Sequence, residues 1–200
     1  VTEGASDAIL RPTLIREATG LPELPYRIAP GIANTPPEDL YKLDSEGGRV
    51  IYVVDGDAGG RTHLENLRAA GLDEARIIDL EALFGTDATP EDCVDPAVLA
   101  SAANREGDPF WGGLVLKPED LPACGRSRAI AEWCRANSVP SPSKVRIAQS
   151  VVEASWGALV GEAGADEEIP PLCSSQGSAW LKALHEAVVS AMGVGAEGAE

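Results

Sequence analysis

Two aspartates, Asp55 and Asp57, stand one residue apart directly after an apolar stretch at residues 50–54. A short apolar run bounded by glycines is typical of a buried parallel strand, and ligands bind where such strands end. Gly56 allows both carboxylates to project in nearly the same direction. Carboxylates this close repel each other and favour a shared cation, and Mg²⁺ takes oxygen ligands of this kind. The alternative is an Asp-Gly-Asp turn that caps the next helix.

The elements around these aspartates alternate between strands and helices. Ser6 or Asp7 is expected to cap a first helix that runs to Thr19, where Gly20 stops it. The short connections between elements predict the α/β class, with a parallel β-sheet flanked by helices. Strands are predicted at residues 1–2, 26–29, 50–54 and 75–80, and further helices at residues 38–43 and 61–70.

The remainder of the chain is predicted to be helical. Asp95 and Pro96 begin a helix that reaches residue 106, and Ser141 and Pro142 begin another with Lys144 in its first turn. Three apolar stripes at helical spacing are expected to pack in the core. The domain prediction is an α/β core at residues 1–106, a helical extension at residues 107–192 and a disordered tail at residues 193–200.

Composition limits the classes of function. The net charge is −16, whereas a free-standing nucleic-acid binder is usually basic, so metal ions or another segment would have to supply positive charge. No apolar run is long enough to cross a membrane, and no signal peptide opens the chain. The four cysteines lack C-x-x-C spacing, which indicates reduced, mostly buried thiols in a cytoplasmic protein. A strand that begins only two residues before its turn suggests a piece of a longer protein.

Three acidic motifs occur in order along the chain: E-G-x-S-D with Glu3 and Asp7, D-G-D with Asp55 and Asp57, and P-E-D with Glu91. This order resembles the Toprim domain, and most closely that of nucleases of the OLD (overcoming lysogenization defect) family. The resemblance is good to about residue 95 and thin beyond it. It departs from the family pattern at residue 2, where a threonine replaces the usual aliphatic residue.

The resemblance implies a Toprim-like fold and an endonuclease that nicks DNA with two metal ions. Mg²⁺ or Mn²⁺ would be the active ion, with Ca²⁺ as a substitute that does not support cleavage. It also implies an ATPase domain earlier in the same full-length chain and a homodimer of that full-length protein. The G-x-x-x-x-G-K-[ST] motif of such an ATPase does not occur here.

The resemblance also assigns roles to individual residues. Glu3, Asp55 and Asp57 would be the principal metal ligands, and Glu3 would also be catalytic. Lys144 would neutralise negative charge on the phosphate or the leaving oxygen. Ser6 would orient a ligand through a hydrogen bond. The ligands of the second ion would be Asp7 and Glu91.

Other functions remain open at this point. The chain could be a Toprim-like regulatory or interaction domain that binds a metal and a nucleotide without cleaving anything. A topoisomerase needs a nucleophilic tyrosine, and none of Tyr26, Tyr41 and Tyr52 is in an obvious position for that role. A primase would need a longer chain. His63 and Arg61, which follow the D-G-D motif, are interpreted as surface residues.

Overall fold

The structure, a computed structural model, describes residues 1–36, 39, 49–159 and 171–193. In these ranges the protein is mixed α/β and mostly helical. The strands are β1 (Tyr52–Val54) and β2 (Ile77–Asp79). The helices are α1 (Ala5–Thr19), α2 (Ala58–Ala69), α3 (Leu80–Phe84), α4 (Pro90–Cys93), α5 (Pro96–Trp111), α6 (Arg126–Ala136), α7 (Lys144–Leu159) and α8 (Ser175–Met192).

A small parallel sheet stands at the centre. Strands β1 and β2 pair in parallel, with Val53 opposite Ile78. Backbone hydrogen bonds add two short segments to this sheet. The first, residues 1–2, lies beside β1: the amino group of Val1 donates to Ile51 O at 2.5 Å, and the Val53 N–H donates to Val1 O at 2.9 Å. Thr2 in turn forms a parallel bridge with Pro30. The order is therefore residues 29–31, residues 1–2, β1 and β2, and all four segments end at one edge.

The strands are shorter than predicted, and one is displaced. The predicted strand at residues 26–29 contributes backbone contacts only at its end, around the bridge at Pro30. Proline has no N–H group, so it cannot extend the hydrogen-bond ladder on that side. The predicted first helix and the helix predicted at residues 61–70 are present as α1 and α2, and the described chain is mixed α/β.

Alternate residues of β1 face two different cores. Tyr52 and Val54 pack against Leu64 and Leu67 of α2. Val53 faces the larger core, where α1 packs against α7 and α8. The predicted helical stripes contribute to this core through Ile130, Cys134, Ala148, Val151, Leu184 and Val188.

Three helix boundaries differ from prediction. Helix α1 begins after Gly4, not after Ser6 or Asp7, because the Asp7 carboxylate one turn on accepts the Gly4 N–H at 2.8 Å. Helix α5 continues past residue 106 to Trp111, whose indole N–H donates to Pro140 O at 3.0 Å. Helix α7 begins at Lys144, so the predicted start at Ser141 and Pro142 was wrong.

Some predictions lie outside the described residues. They are the helix at residues 38–43 apart from residue 39, the part of the helical extension at residues 160–170, and the tail after Gly193. All four cysteines carry free thiols, and Cys93, Cys134 and Cys173 are buried. Among the helices that the structure describes, none is long and apolar enough to span a membrane.

Candidate functional site at the carboxyl edge of the strands

Five carboxylates lie at or near the edge where the parallel segments end, and we call this set the carboxylate edge. Two of them follow β1 directly, one follows residues 1–2, one is on α1 and one is on α4. They belong to Glu3, Asp7, Asp55, Asp57 and Glu91.

Glu3 connects two of the strand ends. Its Oε1 accepts the backbone N–H of Asp55 at 2.7 Å, which ties the end of the first segment to the end of β1. Its Oε2 lies 3.8 Å from Nε2 of His63 on α2. His63 was interpreted as a surface residue, but the structure places it half-buried beside Glu3. Helix α2 starts just after the end of β1, and this places its residue His63 beside the carboxylate edge.

The two aspartates of the D-G-D motif have different local roles. Asp57 caps α2, and its Oδ1 accepts the Gly60 N–H at 3.0 Å. Asp55 is only 8% exposed, and its Oδ1 accepts from Nη2 of Arg11 at 2.5 Å. The capping alternative therefore describes Asp57 and not Asp55. A side chain at Gly60 would place its Cβ 1.8 Å from Asp55 O, so the turn requires glycine there.

Asp7 and Glu91 complete the edge from two helices. Both side chains are buried, Asp7 on α1 and Glu91 on α4. Burial raises the pKa of Asp55 well above its usual range; the Arg11 guanidinium opposes this, and the charges of Asp7, Glu3 and Glu91 add to it. Burial also raises the pKa of Glu3 and of Glu91. These carboxylates are thus close enough to repel one another.

The carboxylates leave oxygen atoms available. One oxygen each of Glu3, Asp7, Asp55 and Asp57 is fixed by a hydrogen bond, and the other accepts none from the described residues. Such pre-oriented hard oxygens suit a divalent cation chemically. Within the same part of the chain, however, no three His, Cys, Asp or Glu side chains converge as ligands of one ion. The donor chemistry fits a cation, whereas a closed ligand shell is not formed.

Lys144 lies beside the carboxylate edge, and its predicted role toward a phosphate stays a prediction. It is the first residue of α7 and lines an open groove of about 410 Å³ together with Asp57 of the edge. Its charge lowers the pKa of Glu91, against the larger effect of burial. Arg61 and Arg128 line the same groove. The groove therefore brings three cationic side chains beside the acidic edge.

Two further residues bear on the predicted site. Arg61 lies at the surface as predicted, where it donates to Gly56 O at 3.1 Å and to Glu81 at 2.9 Å. Ser6 is half-buried on α1, and its hydroxyl makes no hydrogen bond within the described residues; its predicted role of orienting a ligand stays a prediction.

Arg11 is the residue of the site that sequence reasoning missed. It stands on α1 one turn after Asp7 and is buried beside Leu10, Leu14 and Ile15. An arginine at a position surrounded by apolar core residues is the signal that could have identified it, because a buried charge requires a partner.

Fold and site together define an α/β protein with an acidic edge at the carboxyl ends of its parallel segments. No protein-family model, no curated protein and no solved structure matches the chain. The site itself therefore carries the functional conclusion.

Proposed function

We propose that the chain is a Toprim-like domain that nicks DNA, a metal-dependent endonuclease similar to those of the OLD family. One observation carries the proposal: the carboxylates of three separate motifs meet at one strand edge, with Glu3 bonded to the backbone of Asp55. In open α/β sheets this is the edge at which ligands bind. The ordered motifs of the sequence support the same assignment.

Glu3, Asp55 and Asp57 would hold the principal Mg²⁺ or Mn²⁺ ion, and Asp7 and Glu91 a second one. When bound, such ions activate water and stabilise the attacking and leaving oxygens of phosphodiester hydrolysis. The backbone N–H groups that bond Glu3 and Asp57 keep these carboxylates oriented in the absence of the ion. This pre-orientation reduces the entropy cost of binding a cation.

Lys144 would receive the phosphate on the open side of the edge. The groove that it lines with Asp57 has a volume of about 410 Å³, and Arg61 and Arg128 also line it. Because the net charge is −16, and Arg61 and Arg128 are themselves paired with carboxylates, bound metal ions or another segment would still have to supply most of the positive charge for DNA. The ATPase domain of a longer chain and its homodimer belong to the same proposal.

The test is Mn²⁺-dependent nicking of supercoiled plasmid by the wild type and by Asp57→Asn. Asparagine is as good a helix cap as aspartate, so this variant keeps the start of α2 and loses only the charge. We expect nicking to fall by about a hundredfold or more, the loss typical of removing one charge-stabilising group. Asp95→Asn, which changes the cap of α5, is the matched control.

Undiminished nicking by Asp57→Asn, or nicking in the presence of a chelator, would refute the proposal. Ca²⁺ should support binding without cleavage. A second candidate function is a non-catalytic regulatory or interaction domain that binds a metal and a nucleotide at the same carboxylates without cleaving anything. That function predicts metal-induced stabilisation and nucleotide binding with no nicking under any ionic condition.

A further inference from the structure

Arg11 is bonded unlike an arginine that serves only to hold the fold together. Its side chain is 2% exposed, and its Nη2 donates to Oδ1 of Asp55 at 2.5 Å. Its Nε and Nη1 are buried without a hydrogen-bond partner. Unsatisfied buried donors are costly, and native proteins keep few of them. The cost indicates that Arg11 is retained for its charge.

Arg126 provides the comparison within the same molecule. It is also buried, at 5% exposure, but its guanidinium donates to three backbone carbonyls, those of Pro122, Asp92 and Val94. No carboxylate oxygen accepts from its side chain in the described structure. Arg126 thus stabilises loops through hydrogen bonds, whereas Arg11 makes a single bond, and that bond is to a charge.

The surroundings of Asp55 explain why a cation is needed there. The groups whose charges act on it are Arg11 on one side and the carboxylates of Glu3, Asp7 and Glu91 on the other. Asp7 and Arg11 are one helical turn apart on α1, so the helix itself presents the cation to the edge. Lys144 acts on Glu91 and His63 lies beside Glu3, so among the described residues Arg11 is the cation that is in direct contact with Asp55.

We propose that Arg11 is a resident counter-ion of the carboxylate edge, which compensates Asp55 in the metal-free protein and lowers the affinity of the edge for a divalent cation. This inference rests on the proposed function in one respect, since it takes the edge to be the cation site. Arg11 occupies one oxygen of Asp55 and repels a second cation. It is a positioning residue and does not touch the substrate.

The first measurement is Mn²⁺ affinity by calorimetry for the wild type, Arg11→Met and Arg11→Lys. Methionine keeps most of the apolar volume and removes the charge, so we expect Arg11→Met to bind Mn²⁺ at least about tenfold more tightly. Arg11→Lys keeps the charge and should bind Mn²⁺ nearly as the wild type does. Arg126→Met is the control: it should lower the melting temperature and leave Mn²⁺ affinity unchanged.

The second measurement needs no metal. Arg11→Met should lower the metal-free melting temperature because it leaves Asp55 buried and unpaired. Adding Asp55→Asn to that variant should recover part of the loss, since the uncompensated charge is then gone. The inference would be overturned if adding Asp55→Asn to Arg11→Met gave no gain in stability. It would also be overturned if Arg11→Met bound Mn²⁺ no more tightly than the wild type does. A wild type that binds no Mn²⁺ would refute the proposed function, and the metal-free comparison would still decide whether Arg11 compensates Asp55.

Discussion

At the scale of the residue, Asp57 caps α2 and is also a proposed metal ligand, and the two roles can be tested separately. Asp57→Ala and Asp95→Ala each remove a helix cap, at a cost of about 1 kcal/mol. An ion that binds only the folded state stabilises it by mass action, so millimolar Mn²⁺ should raise the melting temperature of the wild type. We expect Asp57→Ala to lose most of this rise and Asp95→Ala to keep it. Equal Mn²⁺ responses in thermal melts would place the ion elsewhere.

The buried carboxylates also predict an unusual dependence of stability on pH. Burial raises the pKa of Asp55 and of Glu91 in the folded protein, so the folded state holds protons that the unfolded state has already released. The contribution of these two groups to stability without metal is therefore fully present below about pH 4, the usual carboxyl range, and is lost as the pH rises through their folded pKa values.

Glu91→Gln tests this dependence, because it removes the charge and keeps the shape. Thermal melts in a chelator should show a shallower decline with pH and a higher melting temperature at pH 7 than for the wild type. Glu65→Gln, which removes an exposed negative charge from α2, should follow the wild-type curve closely. A decline equally steep in the wild type and in Glu91→Gln would show that Glu91 is not a source of it.

At the scale of the element, the turn from β1 into α2 depends on one of its two adjacent glycines. A Cβ at Gly60 would lie 1.8 Å from Asp55 O, whereas a Cβ at Gly59 would lie 3.1 Å from Oδ1 of Asp57. Gly60→Ala must displace backbone and should cost several kcal/mol, at or above the usual range for overpacking of about 1–3 kcal/mol. Gly59→Ala meets a movable side chain and should cost far less. Chemical denaturation of both variants gives the comparison.

The start of α7 makes a second prediction at this scale. A lysine in the first turn is disfavoured by the helix dipole, so Lys144 gains little structurally from its position. Lys144→Ala should reduce nicking by orders of magnitude, as the loss of one charge-stabilising donor does, and leave Mn²⁺-induced stabilisation intact. Lys182→Ala, on the exposed side of α8, is the control. Near-wild-type nicking by Lys144→Ala would leave the metal ions to act alone.

Local sequence signals predicted the elements well, and long-range partners poorly. The apolar run before Asp55 and the glycines after the helices mark boundaries through the chemistry of adjacent residues, so β1, α1 and α2 were found within a few residues. The pairing of Arg11 with Asp55 joins residues 44 apart and depends on how α1 is rotated over the sheet. The spacing of residues in the sequence does not determine how α1 is rotated over the sheet. The contact of His63 with Glu3 was missed for the same reason.

At the scale of the whole molecule, the helical extension and the α/β core share one apolar interior. Helix α1 packs chiefly on α7 and α8, and Leu10 and Leu14 belong to the same buried cluster as Leu181 and Leu184. A chain that ends at residue 123 would expose this face of α1 to water. We expect thermal melts followed by circular dichroism to show a cooperative transition for the full chain and none for the shortened chain. A sharp transition in the shortened chain would show that residues 1–123 are stable alone.

The carboxylate of Glu17 at the end of α1 accepts the backbone N–H groups of Leu172, at 3.1 Å, and Cys173, at 2.9 Å, which follow it by 155 and 156 residues. During synthesis α1 leaves the ribosome long before α8, which covers it. The apolar side of α1 must therefore wait for almost the whole described chain to be made. Contacts between residues so distant in sequence slow folding and prolong the exposure of apolar surface to water. We therefore expect the yield of folded protein to depend on how fast translation proceeds from α1 to α8.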